Sequence, residues 1–140
     1  MEFEYLGIRW KLEYGLEAVD VREDQYGHSY ETIIEKLHPT IKWNWVMDDS
    51  YQGDFYGCGK DYEGKWYFIE GSFGSCSGCD WLQSINTIEE AQKFLDHFKK
   101  VIIQKDTKEE ILAYMKDTTN NQYWSKDTLW KLINKVEVSD

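Results

Sequence analysis

The feature that most constrains this chain is a change of hydrophobic period near residue 85. Upstream, Ile8-Arg9-Trp10-Lys11-Leu12-Glu13-Tyr14 alternates apolar and charged, and Ile41, Trp43, Trp45 and Met47 alternate again. Period two marks a strand with one face buried. Downstream, Ile88, Ala91, Leu95, Phe98 and Ile102 recur at helical spacing behind the capping box Thr87-Ile88-Glu89-Glu90. Thr107-Lys108-Glu109-Glu110 repeats the box ahead of Ile111, Leu112 and Met115, and Ser125 stands where it would cap a third helix with Leu129, Trp130 and Ile133. Strands grouped first and helices grouped later predict an α+β fold: an antiparallel β-meander in the N-terminal and central part packed against C-terminal helices.

Local signals fill in the order. Leu12, Leu16 and Val19 also fit helical spacing, so a helix competes with the strand there, and residues 20–28 read as a polar loop. Ser29 caps a short helix whose apolar face is Tyr30, Ile33, Ile34 and Leu37, and Pro39 stops it. Asp48-Asp49-Ser50 reads as a turn. Strands over Tyr51–Gly57 and Lys65–Glu70 follow, joined by Lys60-Asp61-Tyr62-Glu63-Gly64, where Gly64 supplies the permissive backbone. With 140 residues and no linker or repeat, the expected organisation is one domain, 1–140.

The stretch Gly71-Ser72-Phe73-Gly74-Ser75-Cys76-Ser77-Gly78-Cys79-Asp80 concentrates small residues and two of the three cysteines. Cys76-x-x-Cys79 has the spacing of one zinc half-site. Cys58 would be a third ligand, with His97 or Asp80 completing the set, although no second CxxC or HxxxH exists. A thioredoxin-type dithiol needs a cis-proline facing the pair, and Pro39, the one proline, lies far upstream behind a helix. An anion cradle from Gly71, Gly74 and Gly78 lacks the Lys-Ser/Thr of a P-loop, and no base lies between Lys65 and Lys93. Zinc deaminase chemistry is excluded, because residue 75 is serine rather than proline and no His-x-Glu occurs. The simplest reading is a glycine-permitted turn with reduced cysteines, in which Asp80 caps a short helix over Trp81–Ser84. A zinc-binding or thiol-dependent protein built on Cys58, Cys76 and Cys79 is the alternative.

Charge bears on partners. The formal net charge is −10. Residues 1–54 hold twelve acids and five bases, giving −7, whereas residues 55–140 hold fourteen acids and eleven bases, giving −3. Nucleic-acid phosphates repel such a chain, so direct nucleic-acid binding is not expected. A basic groove on another protein would attract it. No apolar run approaches membrane-span length and the first residues do not form a secretory signal, so a cytoplasmic protein without membrane association is expected.

The runs Ser50-Tyr51-Gln52-Gly53-Asp54, Lys65-Trp66-Tyr67-Phe68-Ile69 and Gly71–Asp80 together resemble a group of small proteins, of no established function, from bacteriophages and their Firmicute hosts. That group shares a "YxGD … YYF … G-[FY]-GSCSGCD" pattern followed by an acidic helical tail, and the likeness spans roughly residues 45–135. The resemblance implies a phage or prophage accessory protein in the host cytoplasm. It carries over no catalytic residue.

Seven Trp and ten Tyr exceed what a core of this size can fully bury. Trp43 and Trp45 share a strand face if that strand forms, and Asp48, Asp49 and Asp54 follow closely. The expected partner-binding surface is aromatic with a carboxylate rim: Trp43, Trp45, Asp48, Asp49, Tyr51, Asp54, Phe73, Asp80 and Trp81. No catalytic constellation accompanies it. The chain therefore reads as a small acidic phage-type interaction protein. It would bind and inhibit a larger host protein, for example a defence nuclease or other effector with a basic nucleic-acid-binding groove.

Overall fold

The computed structural model describes residues 1–13, 15–21, 29–47, 53–74, 80–118 and 131–136. They form an α+β fold with two antiparallel sheets and helices packed on them. The chain divides into two compact units, one from residues 1–39, 50–53 and 72–101, the other from 40–49, 54–71 and 102–140. No helix among the described residues is long and apolar enough to cross a membrane.

In the first unit, β1 (Glu2–Tyr5), β2 (Ile8–Leu12) and β3 (Leu16–Ala18) form a three-stranded meander. Tyr5 pairs with Ile8, so Leu6-Gly7 is a two-residue hairpin loop. Both loop residues have positive φ, Leu6 at 55° and Gly7 at 76°. Such a turn matches the twist of the flanking strands, and Leu6 carries the cost that glycine avoids. Leu12 lies opposite Leu16 across the second hairpin. The spacing of four that suggests a helix from Leu12 to Val19 is therefore the spacing across a turn. β1 and β3, each of three or four residues, are too short to show a period of their own.

Helix α1 spans Tyr30–Leu37, with the Ser29 hydroxyl accepting from Thr32 N and with Tyr30, Ile33, Ile34 and Leu37 buried. Helix α2 spans Ile88–Lys100 and buries Ala91, Phe94, Leu95 and Phe98. The two pack together, and α1 also meets β3. The Thr87 box forms as read: Glu90 N donates to the Thr87 hydroxyl at 3.1 Å, and that hydroxyl donates to the Glu90 carboxylate at 3.0 Å. Tyr5 ties β1 to α2 through its hydroxyl, 2.8 and 2.9 Å from the two Asp96 carboxylate oxygens.

The second unit is built on a four-stranded sheet in the order β4 (Lys42–Met47), β5 (Gly53–Lys60), β6 (Trp66–Phe73), β7 (Ile103–Lys105). The β5–β6 turn closes as expected, with Gly64 at φ 82° and the Asp61 carboxylate accepting from Glu63 N and Lys65 N at 2.9 and 3.1 Å. Alternation sends Tyr56 and Cys58 of β5, and Trp66 and Phe68 of β6, to one face. There they meet Ile111 and Met115 of α3 (Lys108–Thr118) and Leu132, Ile133 and Val136 of the helical segment 131–136. The placement of β7 departs from strands-then-helices. The apolar stripe of α2 does not run on to Ile102, because the helix stops at Lys100 and Ile103 pairs with Phe68. The turn read at 48–50 and the cap at Ser125 lie outside the described residues.

The ends of α1 and α2 are clamped reciprocally. The ring Nε2 of buried His38 lies 2.9 Å from the Phe98 carbonyl, and Lys99 Nζ donates to the Leu37 carbonyl at 2.7 Å. Burial lowers the His38 pKa, the Phe98 carbonyl opposes that shift, and the Lys99 charge adds to it. An imidazole that is harder to protonate folded than unfolded makes the unfolded chain the better proton acceptor. Stability is therefore full above the unfolded histidine pKa of about 6.5 and declines as pH falls below it. Urea midpoints at pH 7.5 and 5.5 should show this loss, and His38→Gln should lose less over the same interval.

Candidate functional site

The structure sorts the proposed surface residues by strand face and by unit. Trp43 and Trp45 are half-buried on β4, stacked with ring centroids 5.4 Å apart at 24°. Trp45 lies opposite Gly57, and a Cβ at Gly57 would fall 2.5 Å from Trp45 Cζ3. The indole occupies the space that a side chain on β5 would need. Phe55 is fully buried on the same face, 6.2 Å from Trp45 and over Gly71, where an added Cβ would overlap its ring. Large rings laid over facing glycines are how a sheet fills a face without strain.

Asp54 does not join that patch. It precedes Phe55, so alternation places it on the face of Tyr56. Glu70 on β6 is the carboxylate it meets. Burial, and then the Asp54 charge, hold Glu70 above the usual carboxylate range. Burial, then Asp54 and Glu70, raise the Tyr56 hydroxyl as well. A carboxylate one residue from an aromatic on a strand is on the opposite side of the sheet, a consequence of the two-residue period. Asp48, Asp49 and Tyr51 lie outside the described residues.

Phe73, Asp80 and Trp81 belong to the first unit. Phe73 is half-buried at the end of β6. Asp80 is buried, with 7% of its surface exposed, and both carboxylate oxygens are occupied internally. Tyr30 donates its hydroxyl proton to Oδ1 at 2.6 Å, and Gln83 N approaches the same oxygen at 3.3 Å. Gly74 N donates to Oδ2 at 2.8 Å. The Tyr30 oxygen also accepts from Leu82 N at 3.0 Å, and the Gln83 amide donates to the Gly74 carbonyl at 2.7 Å. Burial and then the Asp80 contact raise the Tyr30 pKa, so the hydroxyl remains a donor. Asp80 thus holds Gln83 of the short 3-10 turn Leu82–Ser84 to α1 and Gly74, while the cap position of that turn is Trp81, with no side-chain cap. Its carboxylate faces inward rather than forming part of a docking rim.

Trp81 is 40% exposed. Its ring stands edge-on to Phe94 and His97, with centroids 5.0 Å away in each case, and is tilted against Phe98 at 5.9 Å. His97, offered by the sequence as a residue that would complete a zinc set, stands exposed on α2, where its ring forms one wall of the Trp81 seat.

Cys58 is fully buried in the second unit, and burial pushes its thiol up to about 12, the backbone of Gly59 opposing slightly. A thiol there is neutral and packed among apolar groups. Cys76 and Cys79, the other ligands of the zinc reading, lie outside the described residues. Among the described residues no three His, Cys, Asp or Glu side chains converge as a metal set. No family model matches the chain, and neither the curated proteins nor the solved structures contain a significant match.

Two outcomes check this description. Gly57→Ala should destabilise by about 1–3 kcal/mol through overpacking against Trp45. Chemical denaturation should show that penalty shrinking when Trp45 is also changed to Ala, a coupling expected of groups in contact. Tyr30→Phe removes one donor from buried Asp80 and one acceptor from Leu82 N, and should cost about 1–3 kcal/mol by the same measurement.

Proposed function

We propose that this chain is a small acidic phage-type interaction protein that binds a larger host protein and inhibits it. The observation that carries the proposal is the Trp43–Trp45 pair: two stacked, half-buried indoles on one strand, with Trp45 packed between Phe55 and the Gly57 backbone. Rigid aromatic groups make efficient interface anchors, because little side-chain freedom remains to be lost on binding. A net charge of −10 supplies long-range attraction toward a basic surface. A host effector with a nucleic-acid-binding groove, such as a defence nuclease, presents such a surface. The resemblance of Gly71–Asp80 and its companion runs to phage and Firmicute sequences supports an encounter in the host cytoplasm. The metal or thiol reading gains no comparable support, since Cys58 is a neutral core thiol.

Affinity capture from a Firmicute lysate, followed by salt titration, tests the reading. One specific protein should be retained at low salt and released as salt screens the contact. Its activity should fall when the chain is added. Trp43→Ala, confirmed folded by circular dichroism, should weaken capture at least about tenfold, as loss of an aromatic anchor does. Retention no better than that of a charge-matched control protein rejects the proposal.

A further inference from the structure

Strand β1 ends the three-stranded sheet and pairs with β2 on one side alone. Leu12 N donates to Met1 O at 2.8 Å, so Met1, and by alternation Phe3 and Tyr5, turn their backbone groups toward β2. The N–H and C=O groups of Glu2 and Glu4 therefore point away from the sheet. Both residues are exposed, and those four groups make no hydrogen bond among the described residues. An open edge of this kind is a template for an added strand. The side chains decide what can be added. On the outer face, the β1 row is Glu2 and Glu4, with Lys11 and Arg9 opposite them on β2 and Glu17 behind Lys11 on β3. Arg9 reaches to Glu2 and Lys11 to Glu17, each at 2.9 Å, while Glu4 forms no ion pair among the described residues. The row against which a new strand would lie is thus wholly acidic, and the two bases stand about 4.8 Å further away, already answered within the sheet. On the inner face Phe3 and Tyr5 are half-buried, the Tyr5 hydroxyl being held by Asp96.

We infer that the β1 edge takes up, as an added antiparallel strand, an extended segment of a partner protein in which basic and apolar residues alternate. Lysine or arginine side chains lie opposite Glu2 and Glu4, and the apolar side chain between them lies beside Phe3 on the inner face. Backbone hydrogen bonds supply affinity, and the alternate side chains supply selection. A second copy of β1 is refused, because antiparallel addition sets a glutamate against a glutamate at both positions, and like charges directly opposite destabilise a sheet. The edge belongs to the first unit and the Trp43–Trp45 pair to the second, so this inference does not rest on the indoles.

The probe is a fluorescein-labelled peptide of alternating lysine and valine, titrated with the full chain and followed by polarisation. Saturable binding is expected, with the Glu2 and Glu4 amides gaining protection from hydrogen exchange. N-methylation of the peptide's lysine amides, which face the edge, should weaken binding at least about tenfold, whereas N-methylation of its valine amides, which face away, should not. Glu4→Lys, which keeps the Glu2–Arg9 pair, should weaken binding at least about fivefold, while Trp43→Ala leaves it unchanged. Absence of binding, indifference to which amides are methylated, or tighter binding of a glutamate–valine peptide overturns the inference. So does sedimentation showing a dimer whose Glu2 and Glu4 amides are already protected, because the occupant is then a second copy of this chain.

Discussion

A carboxylate is tolerated inside a protein only if its lone pairs are answered, and the first unit is arranged around answering those of Asp80. The Tyr30 hydroxyl and the amides of Gly74 and Gln83 converge on it from α1, from the end of β6 and from the short turn after it. Leaving one such group unpaired costs as much as many whole packing contacts contribute. The arrangement therefore dictates where α1 lies relative to the segment that leads into α2. That segment in turn sets Trp81 on Phe94 and Phe98, and positions it beside His97. An internal polar node thus determines which aromatic group is presented outward.

The second unit solves a different problem. Both faces of its sheet carry aromatic residues. One face packs Tyr56, Cys58, Trp66 and Phe68 on helices, with Tyr56 and Phe68 stacked 5.9 Å apart. The other holds Trp45 over Gly57 and Phe55 over Gly71, with Trp43 stacked on Trp45. A single face of this area could not take so many large rings at close-packed density. Glycines at 57 and 71 make room on the second face. The paired indoles are therefore at once packing elements and the strongest candidates for a contact surface.

Much of the helical architecture was legible because its signals are local. Ser29, Thr87 and Thr107 each cap the helix they precede, using a hydroxyl three residues from the amide it satisfies. The β5–β6 turn was legible for the same reason, through Asp61 and Gly64. Strands β1, β3 and β7 were not, because three or four residues are too few to establish a period and their pairing is set by partners elsewhere. Nor were the two compact units, whose segments interleave along the chain without a linker to mark them. Of the candidate site, the Trp43–Trp45 pairing followed from alternation. The same alternation, carried through to β5, removes Asp54 from it.

What the amino-acid order determined by itself was whatever acts within a few residues: the α+β class, the caps, the stops, the shared face of the tryptophans and the acidity of the whole. What only the tertiary structure decided was the use of each polar group. Asp80 reads both as a helix cap and as part of a docking surface and lies inside, Cys58 reads as a reduced thiol or alternatively a zinc ligand and is buried in the core, and His97, which the zinc reading would enlist, walls an aromatic seat. The reason is physical. Burial and hydrogen-bond partners are properties of neighbours brought together from distant parts of the chain, and no local pattern encodes which neighbours those are.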